Sequence, residues 1–299
     1  MPQAHFIINP ASGAGAGARL ARELATLVGP AQISLLGRCD LPGIIARLGP
    51  QDAAVACGGD GTASAVAEVI AERAAAPALG IVPLGTGNDL ARVLGWKETR
   101  GSLAALVEAL RVAGRRQLDR WRVEGPGLRR SWCNYLSMGV DARVAQRFHD
   151  LRQRHPSLVR GGNINRGLYG VLGAQQRGID LVRQVRLTGG PSLPQWAGVL
   201  VLGNIPSYAG GVTLARDMRV DDGRLELLAL GHGISLGLVT ARLHRPRLLG
   251  RTDHLEFDLG GTLAMQVDGE PFSAGPGHYR VVPDRSITVL VADGAPCAT

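Results

Sequence analysis

At 299 residues, of which 45% are hydrophobic, the chain is long enough for two domains and apolar enough to bury their cores, which excludes global disorder. The net charge of +8 favours anionic partners, but aromatic residues make up only 4% of the chain, too few for the base stacking that nucleic-acid binding would require. No apolar run reaches the roughly 20 residues that span a bilayer, and the cysteines lack metal spacing, so we predict a cytoplasmic protein with reduced thiols and at most peripheral membrane contact.

The first part of the chain alternates apolar runs with helical patterns. The runs predicted as strands lie at 6–8, 33–36, 53–56 and 79–82, and the predicted helices lie at 19–28, 44–48, 65–75, 90–94 and 103–112. Alternating units of this length predict a parallel, Rossmann-like α/β sheet with helices on both faces and ligands at the carboxyl ends of the strands. We place this nucleotide-binding domain at 1–117.

The pattern changes at residue 118 to short apolar runs separated by Gly and Pro. The predicted strands lie at 121–123, 132–138, 199–202, 225–230, 263–267, 279–282 and 287–291. Such spacing predicts a mainly antiparallel β-sandwich domain over 118–299. Helical insertions are predicted at 140–153 and 167–177.

Three turns of small residues follow predicted strands in the first domain. They are Asn9-Pro10-Ala11-Ser12-Gly13, Gly58-Gly59-Asp60-Gly61-Thr62 and Pro83-Leu84-Gly85-Thr86-Gly87-Asn88-Asp89. A strand, a glycine turn and a helix together place backbone N–H groups against phosphate, and Asp60 and Asp89 add oxygen ligands for the Mg²⁺ of a nucleotide. One such turn would be an ordinary α/β connection, whereas two that each contain an Asp predict a nucleotide site.

Two acidic clusters in the second domain have two interpretations each. Asp221-Asp222-Gly223 is either a simple hairpin turn or a turn that also holds a cation through Asp222. If the strand at 263–267 continued through Asp268 and Glu270, these carboxylates would share one face, and their repulsion would raise one pKa and prepare a general base. Otherwise the segment is a polar turn.

The segment after Met138 is strongly basic. Its arginines are Arg143, Arg147, Arg152, Arg154, Arg160 and Arg166. They form either a docking face for anionic lipid headgroups or a solvated helix face.

Taken together, these motifs resemble those of the diacylglycerol kinase family, in both its catalytic and its accessory domain. Besides the three glycine-rich turns and the two acidic clusters, the matching segments are Leu118-Asp119-Arg120-Trp121, Asn134-Tyr135, Gly139-Val140-Asp141-Ala142, Arg147-Phe148-His149, Asn204-Ile205-Pro206-Ser207 and Gly210-Gly211. The matches run from Asn9 to Pro271. The resemblance implies ATP-dependent phosphorylation of a lipid hydroxyl, with diacylglycerol as the favoured substrate and phosphatidate as the product.

The resemblance also implies roles for individual residues. ATP would contact Asn9, Ser12, Gly58, Gly59, Asp60, Gly61, Thr62, Gly85, Thr86, Gly87, Asn88 and Asp89. The Mg²⁺ network of the nucleotide would involve Asp60, Asp89 and Asp119, and a second, structural Mg²⁺ would be held by Asp222 with the carbonyls of Arg219 and Arg224. Glu270, or alternatively Asp268, would deprotonate the attacking hydroxyl.

Several alternatives stay open at this point. The acceptor could be another lipid alcohol, such as a sphingoid base, ceramide or monoacylglycerol. The chain could also be a NAD kinase, or a catalytically silent regulator that binds lipid or nucleotide. As partners we expect the lipid substrate and the anionic inner face of the membrane, and no nucleic acid; homodimer formation is left open.

Overall fold

The computed structural model describes residues 3–85, 87–96, 102–154, 180–215, 217–232, 238 and 245–292, apart from the side chains of residues 152 and 153. The chain divides into two compact units. The first comprises Met1–Leu118 and Arg285–Thr299, and the second comprises Asp119–Asp284.

The helices of the described residues are short. They are α1 (Ala16–Val28), α2 (Leu41–Arg47), α3 (Asp60–Ala71), α4 (Asp89–Val93), α5 (Leu103–Val112), α6 (Val140–Arg154) and α7 (Leu181–Gln184), with two 3₁₀ turns at Ser12–Gly15 and Pro30–Gln32. In this part of the chain, no helix is both long and apolar enough to cross a membrane.

The strands are distributed over both units. They are β1 (Ala4–Ile8), β2 (Ile33–Leu35), β3 (Ala53–Gly58), β4 (Ala78–Pro83), β5 (Gly114–Leu118), β6 (Trp121–Gly125), β7 (Leu128–Trp132), β8 (Tyr135–Gly139), β9 (Val185–Thr188), β10 (Val199–Gly203), β11 (Ser207–Tyr208), β12 (Val212–Thr213), β13 (Leu225–Leu230), β14 (Arg247–Thr252), β15 (Leu255–Leu259), β16 (Leu263–Val267), β17 (Glu270–Ala274), β18 (Gly277–Pro283) and β19 (Ile287–Val291).

The first unit is built on a mixed, mostly parallel sheet. Its six strands among the described residues have the order β2-β1-β3-β4-β19-β5. The first four are parallel, and β19 runs parallel to β4 and antiparallel to β5. Every residue of β3 and β4 is buried, which explains why these strands are continuous apolar runs without alternation. The predicted Rossmann-like sheet is confirmed.

The end of the chain differs from the predicted domain division, which assigned 118–299 to the second domain. Strand β19 belongs to the first sheet, where the indole Nε1 of Trp96 donates to the carbonyl of Leu290 at 2.8 Å and the N–H of Ala292 donates to the carbonyl of Leu94 at 2.9 Å. Because an amphipathic strand can pair with any complementary edge, its sequence does not indicate which sheet it joins.

The second unit contains antiparallel sheets. One has six described strands in the order β14-β13-β10-β8-β16-β17, another has five in the order β7-β6-β18-β15-β9, and β11 and β12 form a small ribbon. One hydrophobic core takes residues from both larger sheets, including Trp121, Trp132, Met265 and Tyr279. The predicted antiparallel architecture is confirmed.

Three predicted helices need comment. The helix predicted at 65–75 is α3, which begins five residues earlier because the Asp60-Gly61-Thr62 part of the glycine motif forms its first turn. The insertion predicted at 140–153 is α6. The insertion predicted at 167–177 lies outside the described residues.

Candidate active site

The three glycine-rich turns of the first unit come together at the carboxyl ends of β1, β3 and β4. The N–H of Asn9 donates to the carbonyl of Cys57 at 3.0 Å, and the N–H of Leu84 donates to the carbonyl of Gly58 at 2.8 Å. A Cβ atom on Gly13, which has φ +63°, would lie 2.8 Å from the carbonyl oxygen of Leu84. Each turn is therefore held by the backbone of another.

The second and third turns approach each other closely, and the second turn is also crowded within itself. A Cβ atom on Gly85 would lie 2.5 Å from the Cα of Gly59, and one on Gly58 would lie 2.2 Å from the Oγ1 of Thr62. These distances are shorter than any van der Waals contact, so the site requires glycine because of crowding and not only because of backbone freedom.

Asn9 and Thr62, both predicted to contact ATP, lie side by side. The amide Nδ2 of Asn9 donates to the hydroxyl Oγ1 of Thr62 at 3.3 Å, and its Oδ1 accepts from the N–H of Ala11 at 3.0 Å. The N–H of Ser12 donates to the carbonyl of Asn9 at 3.1 Å. These contacts connect the glycine-rich segment at 9–13 to the N-terminal turn of helix α3.

The carboxylates of Asp60 and Asp89 both point towards Gly87. A Cβ atom on Gly87 would lie 2.8 Å from the Oδ2 of Asp60 and 4.0 Å from the Oδ2 of Asp89. Asn88, between Gly87 and Asp89 in the chain, adopts a left-handed conformation with φ +50°. Its side chain closes the turn: Oδ1 accepts from the N–H of Gly85 at 3.1 Å, and Nδ2 donates to the carbonyl of Gly85 at 2.6 Å. The carboxylates of Asp60 and Asp89 thus lie on either side of Gly87, which has no side chain to fill the space between them.

Arg92 is a site residue that sequence reasoning missed. Its Nη1 pairs with the Oδ1 of Asp89 at 3.0 Å and donates to the carbonyl of Gly87 at 3.1 Å, while the side chain of Asp89 is only 3% exposed. The position of Arg92 three residues after Asp89 in a predicted helix was the available signal.

The N-terminus of α3 suits an anion. Its N-cap residue is Gly59, whose position carries no side-chain capping bond, whereas α2 and α5 are capped by Asp40 and Ser102. The first N–H groups of a helix have no intrahelical acceptor and attract negative charge, so a phosphate could occupy the place of the missing cap. Gly61 lies in this turn, and Thr86 lies outside the described residues.

In the second unit, Asp119 lies against the acidic loop at 219–224. Its Oδ2 accepts from the N–H of Gly223 at 2.7 Å, and the Oδ1 of Asp222 accepts from the N–H of Arg224 at 3.1 Å. Arg219 contacts Asp221, with 3.4 Å between Nε and Oδ1. The structure therefore places Asp119 and Asp222 in one loop cluster, although the described residues contain no group of three acidic, His or Cys side chains arranged to hold a metal.

Glu226 and Asn204 are two further residues that sequence reasoning did not assign to this cluster. Burial raises the pKa of Glu226 to about 7, against the opposing effect of Arg251, whose Nε lies 3.0 Å from its Oε1. Asn204 donates through Nδ2 to the carbonyls of Asp119 and Cys133, at 2.8 and 2.6 Å. Asn204 thereby fixes the backbone that carries Asp119.

Asp268 and Glu270 do not share a strand face as one of the two interpretations required. Strand β16 ends at Val267, which pairs with Glu270 at the start of β17, so Asp268 and Gly269 form a two-residue hairpin turn. Both turn residues have positive φ, +48° and +89°, as the tight turns that match strand twist require. The strand does not continue through Asp268 because Asp-Gly strongly favours a two-residue hairpin turn, and this turn ends the strand.

The turn separates the two carboxylates. Asp268 is buried, and its Oδ1 accepts from the N–H groups of Asn134 and Tyr135 at 2.9 and 3.1 Å, while its Oδ2 accepts from the N–H of Cys133 at 3.0 Å. Glu270 is exposed. Asp268 therefore anchors the turn to the loop between β7 and β8, and Glu270 presents its carboxylate to solvent.

Two family models match this chain. The model for the diacylglycerol kinase catalytic domain matches residues 3–123, and the model for the diacylglycerol kinase accessory domain matches residues 131–271. The chain belongs to the diacylglycerol kinase family.

Similar sequences carry the same family name. The chain is 31% identical to diacylglycerol kinase 1 of Arabidopsis thaliana over 90% of its own length and 42% of that protein. It is 32% identical to diacylglycerol kinase 2 of the same plant, covering 95% of this chain and 45% of that one. The eye-specific diacylglycerol kinase of Drosophila melanogaster is 31% identical, with 92% of this chain and 21% of that protein covered. This diacylglycerol kinase family member thus spans less than half the length of these relatives.

Solved structures show the same fold. The crystal structure of a diacylglycerol kinase from Bacillus anthracis Sterne superposes with a TM-score of 0.62 at 14% identity, covering 98% of both chains. A second chain from that organism gives a TM-score of 0.66 at 17% identity, again over 98% of both chains. At this identity the likeness concerns the fold.

The basic segment of this family member lies partly on α6. The side chains of Arg143, Arg147 and Arg154 are exposed there. Positions 4 and 11 residues apart fall on one side of an α-helix, so these three arginines form a stripe. Arg160 and Arg166 and the side chain of Arg152 lie outside the described part of the chain.

Proposed function

We propose that this protein is an ATP-dependent lipid kinase that transfers the γ-phosphoryl group to the hydroxyl of diacylglycerol and forms phosphatidate. The observation that carries the proposal is the contact between the Gly59 and Gly85 turns, flanked by Asp60 and Asp89, within the segment that matches the family's catalytic domain. Such an arrangement gives phosphates a concave backbone surface at a helix N-terminus.

In this proposal the first unit binds the nucleotide. The N–H groups at the start of α3 and of the turn at Gly85 would bind the phosphates, with Asn9, Ser12 and Thr62 beside them. Asp60 and Asp89 supply the hard oxygen ligands that Mg²⁺ prefers, so the residues present fit this ion. When bound, Mg²⁺ neutralises charge on the transferred phosphoryl group. Arg92 fixes the orientation of Asp89 through their 3.0 Å contact.

The second unit is assigned the acceptor hydroxyl. The carboxylate of Asp268 is buried and accepts hydrogen bonds from three backbone N–H groups, whereas Glu270 is exposed. We therefore propose Glu270 as the base, with Asp268 as the alternative. The hydroxyl oxygen forms a bond to the γ-phosphorus, the bond from that phosphorus to the bridging β-phosphate oxygen breaks, and ADP leaves. The hydroxyl proton passes to the base.

The acidic loop of the second unit is proposed to hold a structural Mg²⁺. Asp222 and the carbonyls of Arg219 and Arg224 offer oxygen ligands, and Asp119 braces the same loop through the N–H of Gly223 at 2.7 Å. Oxygen donors of this kind match the preferences of Mg²⁺. The conformation of this loop would then depend on the bound ion.

We also propose that the protein works at the anionic inner face of the membrane. The support is the exposed stripe of Arg143, Arg147 and Arg154 on α6. Each basic residue near such a surface contributes about 1 kcal/mol of attraction.

The test is transfer of labelled phosphate from ATP to diacylglycerol in mixed micelles with Mg²⁺, comparing the unmodified protein with Glu270→Gln. We expect labelled phosphatidate, and a kcat reduced by about 10²–10⁴-fold in the variant, the range for loss of a general base. Asp268→Asn is assayed in parallel, because a larger loss there with an intact fold would transfer the role of base to Asp268.

Other outcomes identify the alternatives. Product only from a sphingoid base, ceramide or monoacylglycerol would keep the reaction and overturn the acceptor. Phosphorylation of NAD instead of lipid would indicate a NAD kinase. ATP binding without transfer to any acceptor would indicate a silent regulator.

A further inference from the structure

We infer that Gln266 is a positioning residue for Glu270, because it holds the hairpin turn before Glu270 and is itself held by Ser137 and Asp141. The inference rests on the proposed role of Glu270 as the base. It adds a buried polar cluster, the Gln266 cluster, which consists of Ser137, Asp141 and Gln266.

The two ends of the Gln266 amide have different partners. Its Oε1 accepts from the N–H of Gly269 at 2.7 Å, and its Nε2 donates to the Oγ of Ser137 at 2.7 Å and to the Oδ2 of Asp141 at 3.3 Å. An amide has one accepting and one donating end, so this arrangement works in a single orientation. The amide therefore connects the turn to β8 and to the first turn of α6.

The Gln266 cluster is enclosed. Ser137, Asp141 and Gln266 are 0%, 1% and 2% exposed. The hydroxyl of Ser137 donates to the same oxygen of Asp141 that Nε2 of Gln266 contacts. A buried carboxylate is tolerated when several donors face it, and Asp141 also lies at the N-terminus of α6, where the helix dipole favours negative charge.

The turn needs support from both of its sides. Asp268 has φ +48°, a conformation that costs free energy for a residue other than Gly. The carboxylate of Asp268 attaches one side of the turn to the N–H groups of residues 133–135, and Gln266 attaches the other side through Gly269. Glu270 follows directly and is exposed, so the direction of its backbone depends on how firmly this turn is held.

The first experiment replaces Gln266 by an apolar residue of similar shape. In Gln266→Met we expect kcat for lipid phosphorylation to fall by about 10–100-fold, since a displacement of about 1 Å in a reacting group has an effect of this size. The KM for ATP should stay within about twofold, because nucleotide binding is assigned to the first unit. Gln117→Met is the matched control: Gln117 is exposed and bonds Thr288 at 3.1 Å, so its loss should leave kcat unchanged.

A double-mutant cycle with Glu270→Gln separates positioning from general support of the fold. If Gln266 acts through Glu270, Gln266→Met should lower the residual rate of the Glu270→Gln protein by less than about twofold. An equal fold-loss in both backgrounds would overturn the positioning inference and leave the proposed function intact. Normal activity of Glu270→Gln alone would instead overturn Glu270 as the base, and the inference with it.

A charge-exchanged pair guards against a variant that fails to fold. Gln266→Glu alone places two buried carboxylates together and should lose activity. Combining it with Asp141→Asn keeps the carboxylate oxygen that accepts from the N–H of Gly269 and restores a donor–acceptor contact between the two side chains, now with the Asn amide as the donor. We therefore expect kcat to recover at least tenfold over the single variant. A folded double variant with no recovery would contradict the inference.

Discussion

The two sites on which the proposed chemistry depends are built in opposite ways. The turns around Gly59 and Gly85 are held by backbone packed on backbone, with 2.5 Å between an added Cβ on Gly85 and the Cα of Gly59. The turn at Asp268 and Gly269 is held by side chains, through the carboxylate of Asp268 and the amide of Gln266. A site that receives phosphate needs uncovered N–H groups, whereas a site that directs one carboxylate needs a braced backbone.

The backbone-built site should be the more sensitive to a single methyl group. In Gly85→Ala the new Cβ collides with the backbone of Gly59, which no side-chain rotation relieves, so we expect a loss of about 3 kcal/mol in the free energy of unfolding and at least a tenfold weaker Kd for ATP. Urea denaturation and ATP titration measure both effects. Gly261→Ala is the matched control, because nothing lies within 4 Å of its Cβ position. Equal stability of both variants would mean that the two turns are not in contact.

The side-chain-built turn should depend on the charge of Asp268. Asp268→Asn keeps the volume but turns a donor towards N–H groups, which leaves buried donors without an acceptor, and we expect a loss of about 2–3 kcal/mol in the free energy of unfolding. Asp253→Asn serves as a control, because that side chain is 72% exposed. If Asp268→Asn unfolds at the same urea concentration as the unmodified protein, the carboxylate does not anchor the turn.

Glu226, which lies on β13 just after the acidic loop, offers a smaller, pH-dependent test of how buried side chains affect stability. Burial raises the pKa of Glu226 from 4.5 to about 7, so the folded protein binds this proton more tightly than the unfolded chain does. The contribution of Glu226 to the free energy of unfolding is therefore fully present below about pH 4.5 and is lost as the pH rises through about 7. We expect a decline on the order of 2 kcal/mol over this window.

Urea denaturation of Glu226→Gln at a series of pH values, in the presence of a chelator, checks this expectation. The variant should show a flatter profile between pH 4.5 and 7 than the unmodified protein. The same slope in both proteins would assign the pH dependence to other groups.

The glycine-rich turns could be predicted from the sequence because glycine is required locally, by crowding between short motifs that each follow a strand. The hairpin at Asp268 was one of two open interpretations. The choice between these interpretations depends on hydrogen bonds from the N–H groups of Cys133 and Tyr135 to the carboxylate of Asp268. These partners lie more than a hundred residues earlier in the chain, so no local pattern reveals them. The Gln266 cluster was missed for the same reason: a glutamine within a strand has no special signature until its partners are placed. Arg92 differs, because its position three residues after Asp89 was a local signal for the ion pair that the structure shows.

The sequence by itself determined the fold class, the order of the motifs and the family, because hydrophobic periodicity and glycine turns act over a few neighbouring residues. Only the tertiary structure decided that β19 returns to the first sheet, that Asp268 anchors a turn while Glu270 is exposed, and that Gln266 connects this turn to α6. These features arise from pairing and hydrogen bonding between distant segments, whose partners are specified by the packed core as a whole.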